Sequence, residues 1–569
     1  MMRFPSTSLA LAIACATGVA MFGQACGSDD SSSVFDSGSE AGDGTISPFG
    51  DGSGGDVSDA PSSYNDFGNP IVVGADDAGP GAPANSQTLF GAPDAGASTG
   101  GPCLIEPEIG SLYPHNWLRP RFHWIPTAGE NLFEIRLHAA NQTSDLLVYT
   151  TDTMWTMPLT MWNAVRNDSN DLPMTLTVRG GVYDGTNLTS IALGSEGTIG
   201  IAPVDAPGSI VYWFTNGYSG AIGLNGFSVG DETVVSALTT AQVQEQGITC
   251  MGCHAGTPDG LDVIISTSNG DWDNMIANIA TGDGGTAGAV PSYAGTAGLA
   301  ALLDGPLGIS TISTSHWTPG DRVVIASNNT DLQWIDMEAT NPGVARGTIA
   351  RNGTQVPGTL AGSPDFSHDG TQIVYTATNH TTDGRLGGYY LSTTDTGSRA
   401  SLYLVPYNNR AGGTVAAVSG ASDPGVQNYY PAFAPDDTLI AYSSAPNDMN
   451  MYNQPAAEVY VIPTTGGTGT RLSANDPPMC TGITSPGVTN SWPKWAPSVG
   501  MGSNSRSFYW IVFSSTRIGS LPQLFITPVV VTAGVMQTYA ALYLWNQPDN
   551  EGNHTPAWEY FQLQPPPVN

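Results

Sequence analysis

The stretch Pro364-Asp365-Phe366-Ser367-His368-Asp369-Gly370 leads into the apolar run Ile373-Val374-Tyr375, and the chain repeats this pattern. In the copies an entry residue, most often proline, is followed by an aromatic or small residue, and in most of them an acidic turn then leads into an apolar strand. The residue at the centre of each copy falls at six positions: Gly256, Trp317, Phe366, Phe433, Trp495 and Trp558. Consecutive copies lie 49 to 67 residues apart, by subtraction of these numbers. A repeat of this length with several short strands is typical of a propeller blade with long loops.

The composition favours the same fold class. The 569 residues include 70 glycines and 42 prolines, and only 11% of the residues are charged. Such a chain fits many short strands joined by turns, and its length predicts two or more domains. A parallel α/β fold is disfavoured because no amphipathic helices of 10–15 residues alternate with the strands.

The repeated turn resembles the blades of the TolB-type propeller family. Ser514-Ser515-Thr516-Arg517, which follows an apolar strand, also resembles that family. The resemblance covers residues 206–569 and implies a six-bladed β-propeller.

Residues 102–205 carry a different pattern of alternating strands, such as Leu132 to Leu137 and Met174 to Val178. Turn signals separate these strands at short spacing over about 100 residues, which is typical of an immunoglobulin-like or fibronectin-like sandwich. The predicted fold class is therefore all-β: a sandwich followed by a six-bladed TolB-like propeller.

The first 26 residues read as an export signal, with Arg3 before an apolar run that is short for a membrane span. The end of this segment resembles a bacterial lipoprotein signal, in which Cys26 would be lipidated. Cleavage by an ordinary signal peptidase near Ala25 is the alternative. Either route predicts an exported protein, in the periplasm or lipid-anchored at the outer membrane or cell surface. Residues 27–101 hold 12 acidic and no basic residues, and they predict a disordered tether.

The propeller region contains Cys250-Met251-Gly252-Cys253-His254, a C-x-x-C-H motif of the kind that attaches haem c. Cys250 and Cys253 would each form a thioether to a haem vinyl group, and His254 would be the proximal iron ligand. A thioredoxin-like redox pair, half of a zinc site or a structural disulfide are the alternatives. In the repeat alignment His254 takes the place of Pro364, so the motif lies at the entry of one blade. The motif and its Asp-Gly turn resemble a set of exported bacterial propeller proteins that carry C-x-x-C-H.

The distal iron ligand is predicted from ring geometry. The first and last blades of a closed ring are neighbours, so His554 would lie beside the blade that carries the haem motif. His554 is the first candidate for the distal position, followed by Met479 and His316. An exposed histidine in a turn is the alternative interpretation of such a residue.

Cys103 and Cys480 remain once the signal-peptide and haem-motif cysteines are set aside. In an exported protein they could form a disulfide that joins the sandwich to the propeller, and two free buried thiols are the alternative. The sequence contains no G-x-S-x-G, phosphate-binding loop or H-E-x-x-H motif. No catalytic residue is therefore predicted.

These features predict a monohaem c-type electron-transfer protein on a propeller scaffold. The formal charge of −33 disfavours nucleic acid and anionic membrane surfaces as partners and favours basic redox proteins. A membrane would be contacted only through the lipid anchor. Two alternatives stay open: a TolB-like module that binds a protein or a glycan, and an oxidoreductase that passes substrate electrons to the haem.

Overall fold

A computed structural model describes residues 67–74, 81–216, 221–244, 250–268, 272–279, 286–305, 307–328, 330–379 and 399–563. The predicted signal peptide, Cys26 and residues 27–66 of the predicted tether lie outside the described residues. Within the described ranges, no helix is both long enough and apolar enough to cross a membrane.

The N-terminal domain is built from two sheets that share one core. Its strands are β1 (Ile71–Val72), β2 (Cys103–Glu106), β3 (Leu112–Tyr113), β4 (Arg121–Ile125), β5 (Leu132–Ala139), β6 (Leu146–Thr150), β7 (Met154–Thr156), β8 (Pro173–Tyr183) and β9 (Leu188–Ile201). One sheet has the order β1-β6-β5-β8-β9-β3 and the other β2-β4-β7. Trp124 of the small sheet packs edge-on against Phe133 of the large sheet, with ring centroids 5.4 Å apart. The helices α1 (Ser86–Phe90) and α2 (Leu159–Asp168) flank these sheets.

The predicted boundary between tether and sandwich is wrong, because β1 pairs with β6 of the sandwich and residues 81–101 pack on it. Phe90 is fully buried and lies 5.6 Å from the Tyr149 ring. The backbone carbonyls of Ala92 and Ala95 accept hydrogen bonds from the buried guanidinium of Arg179. Because the segment is poor in charge and rich in small residues, its sequence did not reveal the short helix α1, whose Phe90 is buried against the sandwich.

Within the described residues, the C-terminal domain consists of six antiparallel sheets and one short parallel pair of strands. The first two contain β10 (Ser209–Thr215), β11 (Ile222–Ser228) and β12 (Val235–Thr239), then β13 (Met251–Gly256), β14 (Asp262–Ser268) and β15 (Trp272–Asn278). The third contains β16 (Ser310–Thr318), β17 (Asp321–Ser327), β18 (Leu332–Asp336) and β19 (Arg346–Thr348), and β20 (Ala350–Asn352) follows it. The fourth contains β21 (Leu360–Phe366), β22 (Gln372–Thr378), β23 (Ala400–Pro406) and β25 (Ala416–Ala417), while β24 (Gly412–Thr414) pairs with β20.

The last two sheets complete the domain. The fifth contains β26 (Val426–Phe433), β27 (Leu439–Pro446), β28 (Glu458–Pro463) and β29 (Thr470–Arg471). The sixth contains β30 (Ser491–Trp495), β31 (Gly500–Met501), β32 (Arg506–Ser515), β33 (Gln523–Thr532), β34 (Val535–Thr538) and β35 (Leu542–Tyr543). The final strand β36 (Gly552–Glu559) returns to pair with β10 of the first sheet. Two short helices, α3 (Thr240–Val243) and α4 (Thr296–Leu303), lie between sheets.

The inner strands of the six sheets contact one another in the cyclic order β36, β13, β16, β21, β26, β30 and back to β36. The all-β, propeller-type organisation predicted from the repeats is confirmed by this ring. Each inner strand also carries a register shift part-way along its length. The centres of the repeat copies all fall on these strands: Gly256, Trp317, Phe366, Phe433, Trp495 and Trp558.

Polar and covalent contacts fix the sandwich to the propeller. Cys103 and Cys480 form a disulfide, which joins β2 to a short 3-10 helix that precedes β30. Arg517 of the propeller donates a 2.8 Å hydrogen bond to the carboxylate of Glu108, and both side chains are buried. The sandwich is therefore joined to the part of the propeller around the sixth sheet by a disulfide and a buried ion pair.

Candidate functional site

The C-x-x-C-H motif begins at the edge of β13. Cys250 immediately precedes this strand, and Cys253 and His254 lie within it, where the pairing with β14 shifts register between Met251 and His254. The fully buried Met251 anchors the strand, because its carbonyl accepts a 2.7 Å hydrogen bond from the indole Nε1 of Trp213. The motif is therefore held on a rigid inner strand of the ring.

His254 is a buried imidazole with one hydrogen-bonded nitrogen. Its Nε2 lies 3.2 Å from the carbonyl oxygen of Val211, which can only accept, so this nitrogen carries the proton. Nδ1 then holds a lone pair, and it is buried without a hydrogen-bond partner among the described residues. Burial lowers the pKa of His254 to about 4, against the opposing effect of the Val211 and Gly252 carbonyls. The ring is therefore neutral near pH 7, which is the form that binds metals.

His554 lies on the neighbouring inner strand, as the ring geometry predicted. It is the cross-strand partner of Trp213 on β10, and the two rings are 4.4 Å apart. Its Nε2 is 3.3 Å from the hydroxyl of Tyr452, and its buried Nδ1 has no partner within the described chain. Burial and then the neighbouring His254 lower the pKa of His554 to about 3. The structure therefore brings together two neutral, buried histidines, each with an unpaired Nδ1.

The two motif cysteines differ. Cys253 is a free, half-buried thiol, and burial raises its pKa to about 12, although the charge of Lys494 acts in the opposite direction. Cys250 is 4% exposed and is not a free thiol in this structure. Any reaction at the Cys250 sulfur therefore requires that its present partner be released.

The other two predicted distal ligands lie elsewhere. Met479 is 95% exposed beside the Cys103–Cys480 disulfide. His316 has both ring nitrogens in contact with oxygens, 2.8 Å from Asp321 and 3.2 Å from the Gly370 carbonyl. Neither residue lines the two described cavities that His254 lines.

A ring of side chains that the sequence did not single out surrounds Cys253. Counted back from the aligned turns, Cys253 occupies the position of four residues that each precede a repeated proline: Ser363, Tyr430, Trp492 and Thr555. All four have left-handed backbone conformations, with φ of 45°, 51°, 58° and 47°. They line one cavity of about 40 Å³ together with Cys253, His254 and Lys494. The only signal in the sequence was their shared place before proline, since their residue types differ.

A second cavity, of about 60 Å³, also borders His254, and we call the two cavities together the channel. Lys494, the only lysine of the chain, lies 3.3 Å from Asp365 there. The side chain of Glu559 also lines this cavity. Burial raises the pKa of Glu559 to about 7, although His368 and Lys494 favour its ionised form. The channel is therefore lined by groups of both charges.

In the described residues, no group of three or more His, Cys, Asp or Glu side chains is arranged to hold a metal ion.

No family model and no curated protein sequence matches this chain. Similar solved structures include an ancestral GH74 enzyme, with a TM-score of 0.35, 12% identity, and coverage of 60% of this chain and 39% of that chain. Another is hydrazine synthase of Kuenenia stuttgartiensis, with a TM-score of 0.28, 12% identity, and coverage of 52% and 72%. A third is an α-L-arabinanase of Penicillium chrysogenum complexed with arabinobiose, with a TM-score of 0.25, 9% identity, and coverage of 42% and 66%. This chain thus spans 39% of the length of the GH74 enzyme, and likeness at this level says nothing about function.

Proposed function

We propose that this protein is an exported monohaem c-type cytochrome-like protein that transfers electrons from a six-bladed, TolB-like propeller. The haem would be bound covalently through Cys250 and Cys253, with His254 as the proximal ligand of the iron. The N-terminal domain would be an immunoglobulin-like sandwich, and lipidation at Cys26 would anchor the protein at the membrane. Its partners would be redox proteins with basic surfaces, which the charge of −33 would attract.

The single observation that carries the proposal is the unpaired Nδ1 of His254 beside a free Cys253 thiol. A buried polar atom without a partner costs free energy and is rare in folded proteins, so it often marks the place of an absent ligand. Two cysteine sulfurs for the vinyl groups and an imidazole for the iron are the protein groups that hold a c-type haem. His554, with its own unpaired Nδ1, supplies a candidate for the distal position.

Two features limit how the group could fit. Cavities of about 40 and 60 Å³ are far smaller than the 300–1,000 Å³ of typical cofactor pockets, so the channel within the described residues does not enclose a porphyrin. Cys250 is disulfide-bonded, so a two-electron reductant such as a dithiol would have to cleave that bond before its sulfur could form a thioether. Once reduced, Cys250 would join Cys253 and His254 as the residues that hold the group.

When bound, the haem supplies reversible one-electron chemistry at its iron. The protein residues contribute binding and orientation. Burial keeps His254 neutral, so that a lone pair is available without prior loss of a proton. The anchoring of Met251 by Trp213 holds the motif strand in place, and the single strand fixes Cys253 and His254 relative to each other.

The test is production of the exported chain in a host that matures c-type cytochromes, followed by denaturing electrophoresis and a haem stain. Haem is expected to remain with the wild-type chain and to be lost from the double variant Cys250→Ala/Cys253→Ala. The matched control Cys103→Ala/Cys480→Ala removes the other cysteine pair and should keep the stain. Loss of haem from the wild-type chain on denaturation would refute covalent attachment.

A second function is favoured by one observation, the engagement of Cys250 in the present structure. If that bond is permanent, the protein would be a TolB-like propeller that binds a protein or a glycan without redox chemistry. Partner binding that survives Cys253→Ala in a haem-free chain would support this second function.

A further inference from the structure

Four residues with strained backbones line the cavity of about 40 Å³ next to Cys253. Ser363, Tyr430, Trp492 and Thr555 lie on four different inner strands, each next to the register shift of its strand. A non-glycine residue with positive φ has a strained backbone, and such residues concentrate at functional sites. The repetition of this conformation on four strands turns four side chains toward one small cavity.

Three of these side chains carry polar atoms without a hydrogen-bond partner among the described residues. They are the hydroxyl of Ser363, the indole Nε1 of Trp492 and the hydroxyl of Thr555. The three residues are 3%, 7% and 6% exposed, so bulk solvent has little access to these atoms. The indole N–H can only donate, and each hydroxyl can donate one hydrogen bond. The cavity is therefore lined by donors that lack an acceptor.

Lys494 lines this cavity as well as the second one, where its ammonium group contacts Asp365. Lys494 is the only lysine of the chain, and its Nζ is 3.3 Å from Asp365. An ammonium group has three donors, so this contact leaves others available. The charge of Lys494 also acts on Cys253 and His254, whose protonation it disfavours. Lys494 therefore supplies a charged donor for an anion with hydrogen-bond acceptors, next to the carboxylate of Asp365 that already pairs with it.

The indole is held in place by aromatic packing. Its ring stacks on that of Tyr430 with centroids 3.7 Å apart, and the ring of Tyr452 packs edge-on at 6.4 Å. The N–H of Trp492 is therefore directed before a ligand arrives, which reduces the entropy cost of binding.

We propose that Ser363, Trp492, Thr555 and Lys494 form a carboxylate-binding site in the cavity next to Cys253. The cavity of about 40 Å³ exceeds the space of about 10–15 Å³ that one water needs, which suits a carboxylate group and excludes a large acid. Two sources share this chemistry: a propionate of the attached haem, or a free small carboxylate such as acetate. The first source rests on the proposed function, and the second does not.

The experiment uses the single lysine as a reporter. The mature wild-type chain is made without the c-type maturation system, so that it is free of haem, and is treated with an amine-reactive ester. Acylation at Lys494 is followed by peptide mass spectrometry in sodium acetate and in sodium chloride of equal ionic strength. Acetate should slow acylation on the order of tenfold at ten times its dissociation constant, as occupancy requires. Equal rates in acetate and chloride would overturn the proposal.

Variants test which atoms are responsible. Trp492→Phe keeps the aromatic ring and removes the N–H, so it should abolish most of the acetate effect. Trp510→Phe is the matched control. Trp510 is fully buried in a different hydrophobic core from Trp492, and its Nε1 also has no hydrogen-bond partner among the described residues. If Trp492→Phe does not fold, Ser363→Ala and Thr555→Val remove the two hydroxyls separately. An acetate effect that persists in all three variants would contradict the proposal.

The same assay on the haem-loaded chain identifies the source. Loss of the acetate effect on haem attachment would assign the site to a propionate. Persistence of the effect would assign it to a free carboxylate. Failure of haem attachment leaves the haem-free measurement intact, so the site and the proposed function can fail independently.

Discussion

The carboxyl group of Glu559 should make the stability of the propeller depend on pH. It lines the channel cavity and makes no hydrogen bond or ion pair with another described residue, so burial raises its pKa to about 7. The unfolded value is near 4.5. A raised carboxyl pKa means that the folded state binds the proton more tightly, so its contribution is fully present below pH 4.5 and is lost as the pH rises through 7. One pKa unit corresponds to about 1.4 kcal/mol, so a pKa difference of about 2.5 corresponds to about 3.5 kcal/mol for a fully buried group. Because the side chain is partly exposed, the contribution to the free energy of unfolding is no more than about 3 kcal/mol.

The variant Glu559→Gln cannot ionise and should not lose this contribution. Urea unfolding at several pH values between 4 and 8, followed by near-ultraviolet circular dichroism, should show the variant becoming more stable than the wild type as the pH rises. The matched control Glu196→Gln changes an exposed glutamate of β9 and should track the wild type. A constant difference between Glu559→Gln and the wild type across this range would refute the reasoning.

Three further predictions concern the domain junction and the motif. Removal of the disulfide by Cys103→Ser/Cys480→Ser should destabilise the folded chain by about 2–4 kcal/mol in thermal or urea unfolding, because it frees a loop with a sequence separation of 377; an unchanged midpoint would contradict this. Arg517→Met should cost about 3–5 kcal/mol in urea unfolding, because it leaves Glu108 buried without its cation, and full stability would show that the junction tolerates the unpaired carboxyl. Cys253 of the haem-free chain should react with iodoacetamide at pH 8 at least ~100-fold more slowly than a simple thiol, because its raised pKa leaves little thiolate; alkylation at the rate of a simple thiol would mean that Cys253 is exposed.

The ring of sheets could be predicted because its marker residues are repeated. Aromatic residues such as Phe366 and Trp495 recur at blade spacing, and each one packs on an inner strand. The neighbourhood of His254 and His554 followed from ring closure alone. Pairing of β36 with β10 places His554 in the first sheet, and β36 contacts β13 of the second sheet, although 300 residues separate the two histidines in sequence.

Two parts of the molecule could not be predicted. Residues 81–101 look like a tether because their one anchor, Phe90, is surrounded by small residues that any disordered segment could contain. The four residues that precede the repeated prolines share a left-handed backbone conformation but differ in residue type, as Ser363 and Trp492 illustrate. Their convergence depends on the register shifts of separate strands, which side-chain patterns do not encode.

The central claim is covalent attachment of one haem at β13, and the pyridine haemochrome spectrum of the denatured, purified chain tests it most directly. The proposal predicts a c-type spectrum with one haem per chain, and a haem-bearing tryptic or chymotryptic peptide that contains Cys250 and Cys253. A chain that carries no haem after denaturation, although the same cells mature another c-type cytochrome, would contradict the claim.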